Sequence, residues 1–161
     1  MKICVGHGLD IHQLVPGKPL TLGGVIIQSK LGILGHSDGD VIIHALVDAL
    51  LGSLALGDIG TYFPSKDKEW KNEKSEKFLP PVLKLVRSHN YSICNIDINV
   101  ILETPKLNRD IPKIKSNLSK LLGMNENNIS IKAKTTDKMG IIGSSKAIAS
   151  TATILIINHE S

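Results

Sequence analysis

Two short stretches of the sequence carry carboxylates and imidazoles at spacings that suit metal binding. The first contains Asp10 and His12, at the end of KICVGHGLDIH (residues 2–12), whose period-two alternation predicts a β-strand. Residues two apart in a strand face the same side, so Asp10 and His12 point the same way. A third ligand, His44, falls on a predicted helix. One carboxylate and two imidazoles form a three-ligand set for Zn²⁺ and leave its fourth position open, as in catalytic zinc sites.

The helix that carries His44 is predicted from HSDGDVIIHALVDALLGSLALGD, residues 36–58. Apolar residues cover nearly all of its surface, and a helix that is apolar all round is buried. At about 100° per residue, Asp40, His44 and Asp48 share one narrow stripe. Buried charges are costly unless they are paired or bind a metal, so this stripe requires a partner. Asp48, one turn after His44, could orient the imidazole ring, although a plain carboxylate on the helix surface fits equally well.

The beginning of this helix is predicted to bind anions. Ser37 or Asp38 can serve as its N-cap, and the following glycine loosens the chain there. Free N–H groups and the positive end of the helix dipole attract anions, so His36 and Ser37 stand where a phosphate would bind.

Other interpretations of the same residues remain open at this point. The strand at 2–12 would be an edge strand with solvated polar side chains if no third ligand met it. A second possible grouping, which suits the metal site of a phosphohydrolase, consists of Asp38, Asp40, His36 and His44. Because the sequence has no P-loop or GxGxxG motif and shows no Ser/His/Asp order, covalent catalysis by the protein has no candidate residue. The residues therefore favour metal-assisted chemistry on an anionic substrate.

Length and composition favour one globular domain, residues 1–161, with a core of aliphatic side chains. Of the 161 residues 42% are hydrophobic but only 3% are aromatic, and the net charge is +4. The basic residues are neither clustered in one segment nor interspersed with aromatic residues. The net positive charge therefore favours small anionic ligands over nucleic acid. Cys4 and Cys94 are predicted to be buried thiols in a reducing compartment. Neither a signal peptide nor a membrane span is evident, so we expect a cytoplasmic protein with no membrane partner.

The remaining elements alternate between strands and helices, which predicts an α/β sandwich with helices over one mixed sheet. Residues 61–74 carry many charges and no apolar periodicity, and this segment is either a lid over the site or disordered. The predicted elements are a hairpin at 20–27, a helix from about Pro81 to Asn90, a strand at 92–103, a helix at 110–122, a strand at 129–136 and a central strand at 147–157.

Five motifs, taken together, resemble those of the 2-C-methyl-D-erythritol 2,4-cyclodiphosphate synthase family of the non-mevalonate isoprenoid pathway. They are GHGLDIH at 6–12, HSDGDVIIHALVDALLG at 36–52, GDIGTYFP at 57–64, TPK at 104–106 and KTTDKMG at 134–140. The resemblance implies a homotrimer with each active site between neighbouring subunits. It also implies that 4-diphosphocytidyl-2-C-methyl-D-erythritol 2-phosphate is cyclised with loss of CMP, using Zn²⁺ and a second divalent ion, Mg²⁺ or Mn²⁺.

The resemblance also implies roles for individual residues. Asp10, His12 and His44 would bind zinc, while His36 and Thr135 would stabilise the transition state. The implied contacts of the methylerythritol are Ser37, Asp58, Ile59, Gly60 and the loop from Phe63 to Asp67. The implied cytidine and phosphate pocket of the adjoining subunit consists of Leu102, Pro105, Lys106, Leu107, Lys134 and Thr136, within residues 102–108 and 134–136. The implied ligand of the second ion is Asp137, where the family usually has glutamate. An acid of the family's lid is replaced here by Ser65.

This chemistry agrees with the missing protein nucleophile. The attacking group would be the substrate's own 2-phosphate, which is mostly dianionic at neutral pH because its second pKa is about 6. Two alternatives to the cyclisation are a zinc-dependent phosphohydrolase and a non-enzymatic binding module stabilised by zinc.

Overall fold

The computed structural model describes residues 1–64, 66–67, 70 and 73–158. Its main elements, in chain order, are β1 (Ile3–Pro16), β2 (Leu20–Leu22), β3 (Val25–Ile27), β4 (Leu31–Leu34), α1 (Val41–Ser53), α2 (Ile59–Tyr62), α3 (Leu79–Ser88), β5 (Tyr91–Ile101), α4 (Ile111–Leu122), β6 (Ile129–Lys134), α5 (Gly140–Gly143) and β7 (Ala147–Asn158). Short 3₁₀ turns precede α3 and β6.

Five of the strands form one mixed sheet in the order β4-β1-β7-β5-β6, while β2 and β3 form a separate hairpin. Only β5 and β6 run parallel, and the other neighbours are antiparallel. Helix α1 packs on β1 and β7, and α3 and α4 pack on β5 and β6. The predicted α/β architecture, with helices over a mixed sheet and the last strand in its centre, is therefore confirmed.

Strand β1 alternates between two faces, as predicted. Gly6 and Gly8 are buried on the helix side, and four large apolar residues on the other side are about half exposed or more: Ile3, Val5, Leu9 and Ile11. A Cβ atom added at Gly6 would lie 1.9 Å from the carbonyl oxygen of Ala49, and one at Gly8 would lie 2.0 Å from that of Ala45. The two glycines thus let the backbone of α1 lie directly against the backbone of β1.

The N-cap of α1 is Asp40, which corrects the prediction of Ser37 or Asp38. Its Oδ1 accepts hydrogen bonds from the backbone N–H groups of Ile42 (3.1 Å) and Ile43 (3.2 Å). The same carboxylate accepts from Gly23 N–H at 2.9 Å and Gly24 N–H at 2.7 Å, in the turn between β2 and β3. Burial raises the pKa of Asp40 to about 6, although these N–H donors lower it. Asp40 therefore joins the hairpin to the helix.

Helix α1 ends at Ser53, five residues before the predicted end at Asp58. Leu54 is its C-cap, and the backbone then turns through positive φ at Ala55 (58°) and Gly57 (92°). Left-handed residues cannot continue an α-helix, so the chain leaves the core at this point.

Two further elements begin or end at a residue other than the one predicted from the sequence. Helix α3 begins at Leu79 rather than near Pro81, because prolines are tolerated in the first turn, where the N–H groups have no helical partner. Strand β6 ends at Lys134 rather than at Thr136. Helix α4 ends at Leu122, as predicted, and Gly123 caps it with φ 64°.

The predicted burial of both cysteines is wrong for Cys94. A shift of register between Ile93 and Asn95 interrupts the pairing of β5 with β7, and Cys94 is exposed there. Cys4 is half-buried, with its Sγ 3.6 Å from the hydroxyl of Tyr91. Beyond the irregularity, β5 alternates as predicted. In the part of the chain that the structure describes, no helix is long and apolar enough to cross a membrane.

The close approach of α1 to β1 can be tested with two glycine-to-alanine variants. We expect Gly8→Ala to lower the free energy of unfolding by about 3 kcal/mol or more, because backbone atoms cannot move aside as a side chain can. Gly52→Ala is the matched control on the exposed side of α1, where the nearest atom to a new Cβ, His7 O, lies 4.0 Å away. There we expect a gain of up to about 1 kcal/mol from helix propensity. Urea unfolding measures both, and equal stabilities of the two variants would contradict this packing.

Candidate active site

The structure brings together the three residues predicted to bind zinc. Asp10 and His12 lie two residues apart on β1, and His44 lies on the face of α1 that covers them. The Nδ1 atoms of His12 and His44 are 2.8 Å and 3.1 Å from Asp10 Oδ2. One ligand atom from each residue lies within 4.8 Å of the others, and no other such group of three occurs among the described residues.

The electrostatics of this cluster suit a bound cation. Burial raises the pKa of Asp10, but the contacts with His12 and His44 outweigh it and lower the pKa to about 2. The contact between His12 and Asp10 lacks the angle of a hydrogen bond, so the buried His12 Nδ1 has no hydrogen-bond partner among the described residues. An unpartnered nitrogen lone pair beside a carboxylate and a second imidazole fits a divalent metal ion.

The other nitrogen of His44 meets two serines. Its Nε2 lies 3.0 Å from Ser75 Oγ and 3.3 Å from Ser37 Oγ. Ser75 is completely buried, and its hydroxyl donates to Asp38 Oδ1 in a short hydrogen bond. Sequence reasoning missed Ser75, because a single serine after a charged segment carries no motif and its partners lie more than 30 residues away.

Two acids near this helix do not behave as predicted from the sequence. Asp48 accepts a hydrogen bond from the backbone N–H of Ile59 at 2.7 Å rather than orienting His44. Because Asp40 is bound to the hairpin and caps α1, the alternative phosphohydrolase cluster with Asp38 and Asp40 does not form. The cap also uses helix N–H groups of α1 that were expected to bind a phosphate.

A cavity of about 270 Å³ opens beside the cluster. Its lining residues are Asp10, His12, His36, Ser37, His44, Ile59, Gly60, Phe63, Trp70 and Phe78. Most of these were predicted, whereas Trp70 and Phe78 were not assigned to the site. Their rings pack on Phe63, with ring centres 5.0 Å and 4.7 Å from that of Phe63, and form the apolar wall of the cavity.

Two acids predicted to contact the methylerythritol do not line this cavity. Asp58 is exposed and caps α2 through Thr61 N–H (3.0 Å), so Ile59 and Gly60 line the cavity while Asp58 itself does not. Asp67 also does not line the cavity, and its N–H donates to Pro64 O at 2.9 Å. Ser65 lies outside the described residues.

A second cavity of about 300 Å³ collects the residues predicted to hold the cytidine and phosphates. It is lined by Leu102, Glu103, Pro105, Lys106, Leu107, Asn108, Ala133, Lys134 and Thr135. The two segments are held together by the hydrogen bond from Leu102 N–H to Lys134 O, 2.9 Å. Thr136, which was also predicted for this pocket, does not line the cavity, and its Oγ1 donates to Met139 O at 2.8 Å. Among the described residues, none lines both cavities.

Asp137, the predicted ligand of the second ion, lies beside this second cavity. Its side chain is exposed, its φ is 50°, and its Oδ1 accepts from Thr135 Oγ1 at 3.4 Å. It does not join the three-ligand cluster. Asp137 and Thr135 therefore lie together, whereas His36 lines the other cavity of the same chain.

Comparison with known proteins shows the family to which this chain belongs. The model of the YgbB family matches residues 3–157. The chain belongs to the YgbB family. It is 48% identical to a 2-C-methyl-D-erythritol 2,4-cyclodiphosphate synthase from Parabacteroides distasonis, with 97% of each chain covered, and 45% identical to one from Thermosynechococcus vestitus, again over 97% of each.

Solved structures of YgbB-family relatives agree with this assignment. IspF from Plasmodium falciparum, solved as a CDP complex, has a TM-score of 0.87 and 43% identity, covering 98% of this chain and 97% of its own. The bifunctional IspDF from Campylobacter jejuni has a TM-score of 0.91 and 38% identity, covering 96% of this chain and 42% of its own. The predicted family, and with it a lyase of the cyclodiphosphate synthase class, is confirmed.

Zinc content provides a direct test of the three-ligand cluster. We expect Asp10→Asn to weaken zinc binding more than about 100-fold, since losing a ligand should cost more than losing a residue that only supports one. Asp97→Asn is the matched control, because this carboxylate lies on the same sheet but pairs with Lys132 at 2.5 Å. Equilibrium dialysis with metal analysis, alongside circular dichroism, compares the variants. Unchanged zinc content in Asp10→Asn would contradict the site.

Proposed function

We propose that this protein converts 4-diphosphocytidyl-2-C-methyl-D-erythritol 2-phosphate to 2-C-methyl-D-erythritol 2,4-cyclodiphosphate and CMP. The whole chain, residues 1–161, would form one synthase domain. The main support is the convergence of Asp10, His12 and His44 beside His36 in one cavity, in a chain that matches cyclodiphosphate synthases along its length.

The reaction requires positioning more than covalent chemistry. An oxygen of the 2-phosphate attacks the β-phosphorus, and the bond from that phosphorus to the oxygen bridging the α-phosphate breaks, so CMP leaves with the bridging oxygen. No water or protein nucleophile takes part. The protein must hold two mutually repelling anionic groups in line and stabilise the charge that develops between them.

The first cavity supplies groups suited to this task. Zn²⁺ held by Asp10, His12 and His44 would act as a Lewis acid toward the phosphate oxygens. His36 and Ser37 line the same cavity and can donate hydrogen bonds to the phosphate. Ile59 and Gly60 line the opposite part, where the backbone of α2, fastened by Asp48, can contact the methylerythritol. The wall around Phe63 excludes water from one side.

The second cavity suits the nucleotide end of the substrate. Lys106 and Lys134 carry positive charge to its lining, and Thr135 adds a hydroxyl. One carboxylate, that of Asp137, suits Mg²⁺ or Mn²⁺, because such ions are usually held by one or two carboxylates together with substrate phosphates and water. Relatives solved with CDP support a cytidine nucleotide as part of the substrate.

We further propose that the active site is completed by a second chain in a homotrimer. No residue in the described part of the chain lines both the zinc cavity and the nucleotide cavity, although the substrate must meet both. The face of β1 opposite the helices also carries exposed Ile3, Val5, Leu9 and Ile11, which favours coverage by another subunit.

CMP release tests the proposed activity directly. We expect His12→Ala to lower CMP release at least about 100-fold. The metal site that would stabilise the charge developing on the phosphates then lacks one of its three ligands. CDP should still bind this variant, since the nucleotide cavity lies elsewhere in the chain. Isothermal titration with CDP and an assay of CMP measure the two effects. Full turnover in a zinc-free variant would contradict the proposal. In a non-enzymatic zinc module, chelation would unfold the chain and CDP would not bind.

The second ion is tested at Asp137. Aspartate is one methylene shorter than glutamate, so its carboxylate stops about 1 Å short of where glutamate would reach. We expect Asp137→Glu to lower the Mg²⁺ concentration that gives half-maximal CMP release and to leave zinc content unchanged. Asp137→Ala should cost less activity than loss of a zinc ligand, because substrate phosphates supply most of the ligands. A Mg²⁺ titration in which Asp137→Glu shows an equal or weaker requirement would contradict this role.

A further inference from the structure

A chain of hydrogen bonds runs from the zinc cluster into the interior through His44, Ser75 and Asp38. His44 Nε2 lies 3.0 Å from Ser75 Oγ, and Ser75 Oγ donates to Asp38 Oδ1 in a short hydrogen bond. The backbone N–H of Ser75 also donates to Asp38 Oδ1, at 3.2 Å. Ser75 is completely buried. Ser75 lies outside the five motifs that identify the family.

The direction of each hydrogen bond follows from the position of the cluster. His44 Nδ1 faces Asp10 Oδ2, so it is the nitrogen that would bind a metal with its lone pair. The proton of the neutral ring is then on Nε2, which must donate it. Ser75 Oγ accepts that hydrogen bond and uses its own proton for the carboxylate of Asp38. Every donor in this chain therefore meets an acceptor.

We propose that Ser75 and Asp38 are positioning residues, which hold His44 in the tautomer and ring orientation that the metal requires. This inference rests on the proposed function, because it concerns the same metal site. The carboxylate is itself held in place, since its Oδ1 also accepts from Asp40 N–H at 3.3 Å and the N–H of Asp38 donates to Glu73 O at 3.2 Å. Neither Ser75 nor Asp38 has to touch the metal or the substrate.

Ser37 provides a matched comparison, because its hydroxyl also lies near His44 Nε2. That distance is longer, 3.3 Å, and Ser37 Oγ accepts from Gly39 N–H at 3.1 Å. Ser37 lines the cavity, whereas Ser75 does not. Ser37 Oγ also lies 3.3 Å from Ser75 Oγ. Because Ser75 gives its own proton to Asp38, the hydroxyl of Ser37 can donate either to Ser75 or to a phosphate.

The test compares zinc affinities of the full-length variants by competition with a chromophoric chelator, without substrate. We expect Ser75→Ala to bind zinc about 10- to 100-fold more weakly than the wild type, the usual effect of removing a group that supports a metal ligand. Ser75→Thr, which keeps the hydroxyl, should recover most of this loss. Ser37→Ala should stay within about threefold of the wild type. Equal affinities of wild type and Ser75→Ala, or equal losses in both alanine variants, would overturn the positioning role.

A spectroscopic measurement on the wild type does not depend on any variant folding. In the zinc-loaded protein we expect the His44 Nε2–H proton to exchange slowly with water in ¹H–¹⁵N spectra, because it is hydrogen-bonded to a buried hydroxyl. Rapid exchange of this proton would contradict the inference. A wild type that binds zinc with this signature but releases no CMP would contradict the proposed function and leave the positioning role intact.

Discussion

The backbone-to-backbone packing of α1 on β1 is the constraint on which the candidate site depends. Carbonyl oxygens of the helix lie where Cβ atoms of Gly6 and Gly8 would be, so any side chain at either position would push the two elements apart. Asp10 lies two residues after Gly8 and on the same face of β1. His44 directly precedes Ala45, whose carbonyl oxygen lies against Gly8. The separation of the metal ligands is therefore set by two rigid elements rather than by loops.

Two aspartates at the beginning of α1 and one in the middle of β1 have different roles because their surroundings differ. Asp40 is buried among backbone N–H donors and burial raises its pKa to about 6, whereas two imidazoles lower the pKa of Asp10 to about 2. Asp38 accepts hydrogen bonds from the backbone and hydroxyl of Ser75 and from the backbone N–H of Asp40. One of these carboxylates therefore fastens the hairpin to the helix, one faces the metal position, and one supports a ligand from behind.

The sequence by itself determined the features that depend on local periodicity. Period-two alternation was enough to place Asp10 and His12 on one face of a strand, because side chains in a strand must alternate. The apolar surface of the helix around His44 was enough to bury it, and the αβ alternation was enough to give a mixed sheet with its last strand in the centre. The combined motifs also identified the family, and with it residues that line two cavities.

Only the tertiary structure decided which partner each polar group meets. Asp40 and Asp48 share a helical stripe with His44, yet Asp40 binds the glycines of a hairpin and Asp48 binds Ile59. Ser75 became visible only because the chain returns to His44 after 31 residues. A hydrogen bond requires a donor within about 3 Å at the right angle, and periodicity fixes the face of an element but not the segment that comes to lie against it.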